Sequence, residues 1–287
     1  MRSSSLLHLS RLARSAAAVF AVALVVPCLP AEAAAPPTIA AGALTIGSDL
    51  TYPPYAFMNG DKPAGLDPDF MAKLAAHLQL KPVFVDTRFA NLILSINSKR
   101  IDVIASALYV TPERAKQIDF VPYFKTGGSL MALAGGAFKP ATPDDLCGKR
   151  VGSIKGASWI PKLAAVSKDV CAPKGLAAID VREFETSPQA AQALLAHAVD
   201  AQFEDSAVAK MTVDKMNGRL AITSATQLFP VVVGLGVPKS DPALFAALKE
   251  ALGEMRQSGE YAALLKQYNV AEPTGAEAAQ ALGAAVQ

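Results

Sequence analysis

Short runs rich in Val, Ile and Phe alternate with segments whose apolar residues recur at three- and four-residue spacing, and this alternation constrains the fold more than any other feature. Leu44-Thr45-Ile46-Gly47, Val83-Phe84-Val85 and Ile101-Asp102-Val103-Ile104 read as strands. Between them Phe70, Met71, Leu74 and Leu78 share one helical face, behind Asp67 as an N-cap and Pro68 at the first helical position, and Leu92, Ile93 and Ile96 mark a second helix. A second set follows Gly128. Its strands are Arg150 to Ile154, Ile179 to Phe184 and Ala201 to Phe203; its helices lie near Trp159 to Val166, after Ser187 as a cap, and from Asp205 towards Met216. Val231 to Val237 gives a last strand, and Asp241-Pro242 opens a helix that turns Leu244, Phe245, Leu248, Leu252 and Met255 inward. The pattern predicts an α/β fold with mostly parallel sheets. At about 150 residues per domain, 287 residues predict two compact bodies. The Ala-rich residues 271–287 are expected to be a frayed, flexible tail.

The N-terminus has a different logic. Arg2, Arg11 and Arg14 precede the 11-residue apolar run Ala16 to Val26, and Ala31-Glu32-Ala33 follows a Pro-containing stretch. Basic, apolar and small-residue regions in that order predict a secretory signal peptide over residues 1–33. The run is too short for a ~30 Å hydrocarbon core at about 1.5 Å per residue. Cys28 offers a lipoprotein attachment site, but Val-Val-Pro before it lacks the usual small residues, so a free periplasmic protein is the preferred expectation. Removing the leader deletes three Arg and one Glu and leaves 24 side chains of each sign. With no basic field, nucleic acid is not an expected partner. Cys147 and Cys171 remain in an oxidising compartment and are expected to pair, closing a loop of about 25 residues worth roughly 3 kcal/mol.

Templates for catalysis and cofactors are missing from the sequence: no GxGxxG after a strand, no GxxxxGK[ST], no GxSxG and no HExxH. His8, His77 and His197 are scattered, so neither a metal nor a cofactor is expected. Polar residues at strand ends and helix starts are more informative, because α/β folds hold ligands there. Arg114, in Thr111-Pro112-Glu113-Arg114, is either a solvated helix residue or a fork for a carboxylate. Asp205, after the strand Ala201 to Phe203, is either an N-cap or a ligand group.

In order, Ile46-Gly47-Ser48-Asp49 with Tyr52-Pro53-Pro54-Tyr55, Gly65-Leu66-Asp67-Pro68-Asp69-Phe70, Ile101 to Ser106, Thr111 to Arg114, Asp119 to Tyr123, Asp145 to Gly152, Val199-Asp200-Ala201 with Asp205, and Ser258 to Tyr261 resemble the bacterial extracellular solute-binding proteins of family 3. The resemblance spans about residues 43–269. It implies a two-lobed clamshell of the type 2 periplasmic-binding kind, each lobe a mostly parallel sheet flanked by helices. Residues 43–132 and 231–270 would form lobe 1, and 133–230 lobe 2. It also implies a monomeric substrate-binding subunit serving an inner-membrane ABC permease, with an amino acid or related small carboxylate between closing lobes. Arg114 would hold the ligand's carboxylate and Asp205 its ammonium. Tyr52 and Phe89 would sandwich the side chain, Ser106 would accept a hydrogen bond, and Ala157-Ser158 would donate backbone N–H groups.

Three positions depart from the family pattern. Tyr109 stands where Ser or Thr is usual, Gly156-Ala157 replaces Gly-Thr, and Trp159 either lines the pocket or packs on lobe 2. These changes point towards a modified or bulkier amino acid, or another small carboxylate. Asp49 either reads a cationic side chain or shapes a turn. An enzyme of the cyclohexadienyl dehydratase kind on the same scaffold is the alternative; Glu204 is its candidate acid/base group, although strand alternation predicts that Glu204 points away from the face of Asp205. A sensor presenting the same lobes to a membrane receptor is a further reading.

Overall fold

The computed structural model describes residues 36–284, so the expected signal peptide, its cleavage site and Cys28 lie outside the described residues. The chain opens with β1 (Ala43–Ser48), then the small hairpin strands β2 (Thr51–Tyr52), β3 (Ala56–Asn59) and β4 (Lys62–Ala64). Next come α1 (Leu66–His77), β5 (Lys81–Asp86), α2 (Leu92–Asn97), β6 (Val103–Ile104) and α3 (Pro112–Ala115). The 16-residue strand β7 (Ile118–Leu133) leads to β8 (Arg150–Ile154), α4 (Ile160–Val166), β9 (Asp180–Phe184), α5 (Ser187–Leu195), β10 (Ala201–Asp205), α6 (Ser206–Lys215) and β11 (Leu220–Ile222). Finally β12 (Leu228–Pro238) is followed by α7 (Pro242–Ser258), α8 (Glu260–Gln267) and α9 (Gly275–Ala284).

The predicted α/β alternation is present, with one nine-stranded sheet ordered β5-β1-β6-β12-β7-β10-β8-β9 and β11 beside β7. Parallel pairing joins β5-β1-β6 on one side and β10-β8-β9 on the other. The two sets are linked by β7, whose first part pairs antiparallel with β12 and whose last residues pair with β10 and β11. The β7–β12 register slips between Leu228 and Val231, where Phe229 takes a positive φ of 50° and Pro230 withholds a donor. At Gly128, opposite Asp205, a Cβ would meet the Phe203 ring at 2.2 Å, so only glycine lets that ring cover the crossing.

Helix α7 shows how locally the sequence specifies its elements. Asp241 caps it by accepting from the Leu244 N–H at 2.9 Å, and Pro242 fits the first turn. Leu244, Leu248, Leu252 and Met255 are buried at helical spacing, and Gly259 ends the helix in the left-handed conformation. Two predicted caps move. The helix after β9 is capped by Thr186, one residue before Ser187, because its hydroxyl reaches the Gln189 N–H. Asp67 lies inside α1; it is fully buried, accepts from the Ala107 N–H at 2.9 Å and from the Tyr123 hydroxyl, and is pushed up to about 7 by burial. Over residues 275–284 a helix replaces the expected frayed tail. Glu277 accepts from Lys125 Nζ and the Thr274 hydroxyl, and Ala281 and Leu282 pack on the cluster that holds Leu92 and Val232.

Cys147 and Cys171 are bonded, as expected. The bridge closes a loop with a sequence separation of 24, so replacing both by Ser is expected to remove roughly 3 kcal/mol. In scanning calorimetry that lowers the midpoint by about 6–12 °C; an unchanged midpoint refutes it. A second stability test concerns His77 on α1, whose ring nitrogens meet Glu254 at 2.8 Å and Glu260 at 2.9 Å. The Glu260 contact, then Glu254, raise the imidazole above its ordinary 6.5. The stabilisation is therefore complete below about 6.5 and fades as pH rises through the higher folded value. Wild type and His77→Gln should differ most in midpoint at pH 6 and converge at pH 9.

Candidate functional site

Both parallel sets present their carboxyl ends to one cleft, the position where open α/β sheets hold ligands. From the β1–β6 side come the turn Asp49 to Tyr55 and the segment Ser106 to Arg114; from the β8–β10 side come Gly156 to Trp159 and the end of β10.

Four tyrosine and threonine hydroxyls meet two carboxylates in this cleft. Asp205, fully buried, accepts from the Tyr55 hydroxyl (2.9 Å) and the Ala207 N–H (2.9 Å) on Oδ1, and from the hydroxyls of Tyr109 (2.6 Å) and Thr126 (2.9 Å) on Oδ2. Burial pushes its carboxyl up and the hydroxyls pull it back. The same burial raises the Tyr52, Tyr55 and Tyr109 phenols, which therefore remain donors. Glu204 points to the face of Gln202, two residues before it, as strand alternation predicts, and among the described residues shares no side-chain partner with Asp205. It too is fully buried, and Oε1 accepts from the Tyr52 hydroxyl (2.6 Å) and the Asp205 N–H (2.9 Å). Its Oε2 accepts from the Ser187 hydroxyl and Gln202 Nε2 (3.0 Å), and burial pushes the carboxyl up to about 7. β10 ends at Asp205, where the backbone turns into α6, so two buried carboxylates stand side by side with separate sets of donors.

Arg114 sits on α3, whose first turn is capped by the Thr111 hydroxyl. Its guanidinium donates to the Tyr109 carbonyl at 2.8 Å and, across the cleft, to the Gly156 carbonyl at 3.1 Å, with the Phe89 ring 5.3 Å away. No carboxylate among the described residues pairs with it, and burial pulls it down to about 10. Trp159 does both things the sequence left open. Its indole N–H donates to Ser153 Oγ at 2.8 Å, its ring lies on Phe203 at 5.3 Å, and its other face meets Tyr109 edge-on at 5.9 Å.

Tyr52, Phe89, Ala107, Tyr109, Arg114, Ile154, Ala157, Ser158 and Trp159 wall a cavity of about 10 Å³, near the least that holds one water. Seven of the predicted site residues are thus brought together. The others lie around them. Asp205 stands behind the tyrosines. Asp49 accepts from Arg88 Nη1 at 2.9 Å and the Phe89 N–H at 2.9 Å, so the cation it reads is the chain's own. Ser106 accepts from the Asp49 N–H at 3.0 Å. The Ala157 N–H donates to the Ile154 carbonyl at 3.3 Å, and helix α4 starts only at Ile160, so the expected N–H cradle is partly consumed. Tyr55, Thr126 and Ser187 were not singled out from sequence. Thr126 carried a signal, a lone hydroxyl in the apolar run of β7 that needs a partner once buried. A larger open groove of about 1260 Å³, between α6, α9 and β12, contains none of the predicted site residues. Among the described residues no group of His, Cys, Asp and Glu could hold a metal, and no helix is long and apolar enough to cross a membrane.

Comparison with known proteins agrees with this architecture. The chain is 30% identical over 235 residues to the L-cystine-binding protein TcyJ of Escherichia coli (strain K12), covering 81% of this chain and 85% of that protein. It is 31% identical over 233 residues to the Histidine-binding periplasmic protein of the same strain, covering 78% and 86%. A solved structure, an ancestral arginine-binding protein bound to glutamine, superposes with a TM-score of 0.72 at 30% identity, over 79% of this chain and 97% of the other. These relatives are binding proteins, and such neighbours are two-lobed. Residues 44–271 match the pattern of one family, and with these relatives in agreement the chain belongs to the Bacterial extracellular solute-binding proteins, family 3.

Proposed function

We propose that this protein is the periplasmic substrate-binding subunit of an ABC importer, a monomer that closes two lobes over a small carboxylate-bearing solute of the amino-acid kind and hands it to an inner-membrane permease. Residues 43–132 with 231–270 form lobe 1 and 133–230 lobe 2 in this reading, and residues 1–33 direct secretion. The observation that carries it is Arg114. It is a buried guanidinium with two of five donors used, set beside an aromatic-walled cavity and reaching from one side of the cleft to a carbonyl on the other. A carboxylate placed there receives a two-pronged fork and touches both lobes only when they are closed, so binding favours closure.

The test is thermal unfolding against a panel of amino acids, modified amino acids and related carboxylates. A ligand at about 100 times its Kd adds roughly 2.7 kcal/mol, a midpoint rise of about 5–10 °C. Recovery of the ligand unchanged supports a binding protein. A dehydratase is the second reading, favoured by one observation, the cleft carboxyl of Glu204 held near 7 where acid/base groups work. The four donors enclosing Glu204, the Tyr52 hydroxyl among them, weigh against that role. Conversion of a panel member on incubation would replace the first reading with the second.

A further inference from the structure

We infer that the cleft takes a small carboxylate without an α-ammonium group, a 2-oxo or 2-hydroxy acid with an apolar body, because Tyr109 and its neighbours already fill the carboxylate that would receive an ammonium. This deepens the binding reading above and rests on it.

A carboxylate offers about four acceptor positions. Asp205 spends one on each of Tyr55, Ala207 N–H, Tyr109 and Thr126, all between 2.6 and 2.9 Å. An ammonium arriving at Asp205 would have to expel at least one hydroxyl; Tyr55 and Thr126 lie 3.3 Å apart and could turn to each other, but an expelled Tyr109 hydroxyl has no other acceptor among the described residues. The Tyr109 ring is held against Trp159, and Tyr109 and Trp159 are both almost fully buried. Glu204 gives no second receptor, since Tyr52, Ser187, Gln202 and the Asp205 N–H fill its four positions.

The cation side is unbalanced in the opposite sense. Arg114 is the only charged residue in the cavity wall, and the remainder is Tyr, Phe, Trp, Ile, Ala and Ser. A wall with one partly used cation and no carboxylate complements a monoanion, whereas a zwitterion's positive end would meet only hydroxyl oxygens and ring faces, with no free anion to pair its charge. The cavity holds about one water, so a ligand enters only as the cleft parts, and the aromatic and aliphatic groups then suit an apolar body. The position of Tyr109, in the segment between β6 and α3, makes it the residue that sets this preference.

The experiment is calorimetric titration of wild type, Tyr109→Ser and Arg114→Ala with matched sets: L-phenylalanine, phenylpyruvate and 3-phenyllactate; L-leucine and 4-methyl-2-oxopentanoate. Wild type should bind an oxo or hydroxy acid at least tenfold more tightly than its amino acid. Tyr109→Ser, which frees an acceptor on Asp205, should shift the ratio at least tenfold towards the amino acid, and Arg114→Ala should weaken binding of both at least 30-fold. Tyr109→Phe, which removes only the hydroxyl, replaces Tyr109→Ser if the latter does not fold. An amino acid bound as tightly as its partner by wild type overturns the inference and leaves the binding reading intact. Binding indifferent to Arg114→Ala overturns the site assignment itself. Gain of amino-acid binding by the Tyr109 variant alone supports the inference; silence from wild type and variant towards every acid overturns both.

Discussion

Asp205→Ala is expected to cost on the order of 3–5 kcal/mol of stability, a midpoint drop of about 6–20 °C. The substitution leaves the hydroxyls of Tyr55, Tyr109 and Thr126 and the Ala207 N–H facing a methyl group in a buried cluster. Each hydrogen bond to a charged group contributes about 1.5–3 kcal/mol, and the removal of a buried, desolvated charge offsets part of the sum. Asp205→Asn keeps one acceptor oxygen and should fall between. Scanning calorimetry decides the matter, and a drop below about 2 °C would show that the cluster is solvated in solution and does not hold the two sides of the cleft.

The second large effect concerns binding. Arg114→Ala is expected to weaken a carboxylate ligand by about 2–5 kcal/mol, roughly 30-fold to several thousandfold in Kd, because the ligand's charge is left buried without its fork. Stability should change little, since the side chain's own partners are two carbonyls and a ring. Arg114→Lys keeps the charge but not the planar geometry and should recover only part of the affinity. Titration with the ligand found in the unfolding panel measures it. Equal affinity in Arg114→Ala and wild type would remove Arg114 from the binding surface.

Much of the fold is written in local sequence. β1, β5, β8, β9 and β12 follow their apolar β-branched runs, and α7 has its cap, its inward stripe and its terminating glycine in plain order. The parts that were not legible depend on partners distant in sequence. Asp67 has the look of a cap, yet Ala107 and Tyr123 hold it, 40 and 56 residues away. Residues 275–284 lack a strong apolar stripe and are organised by Lys125, more than 150 residues earlier. Glu204 follows alternation onto the face of Gln202, but its burial under the Tyr52 and Ser187 hydroxyls depends on residues 152 and 17 positions away. At the site, placement at a helix start pointed to Arg114, and the family resemblance with its departures pointed to Tyr52, Phe89, Tyr109 and Trp159; all five wall the cavity. Which acceptors were already occupied is a property of packing, so neither the saturation of Asp205 nor the pairing of Asp49 with Arg88 was visible beforehand.

Trp159 is the single tryptophan of the chain, and it sits between Phe203 on its own side of the cleft and Tyr109 from the opposite side. Its ultraviolet emission therefore comes from one known place. Parting the cleft strips Tyr109 from the indole and admits water, which moves the emission to longer wavelength; closing restores the blue spectrum. If the lobes close over a ligand as proposed, this emission is a built-in, label-free optical gauge of cleft opening, and stopped-flow mixing can time each closure in the unmodified molecule.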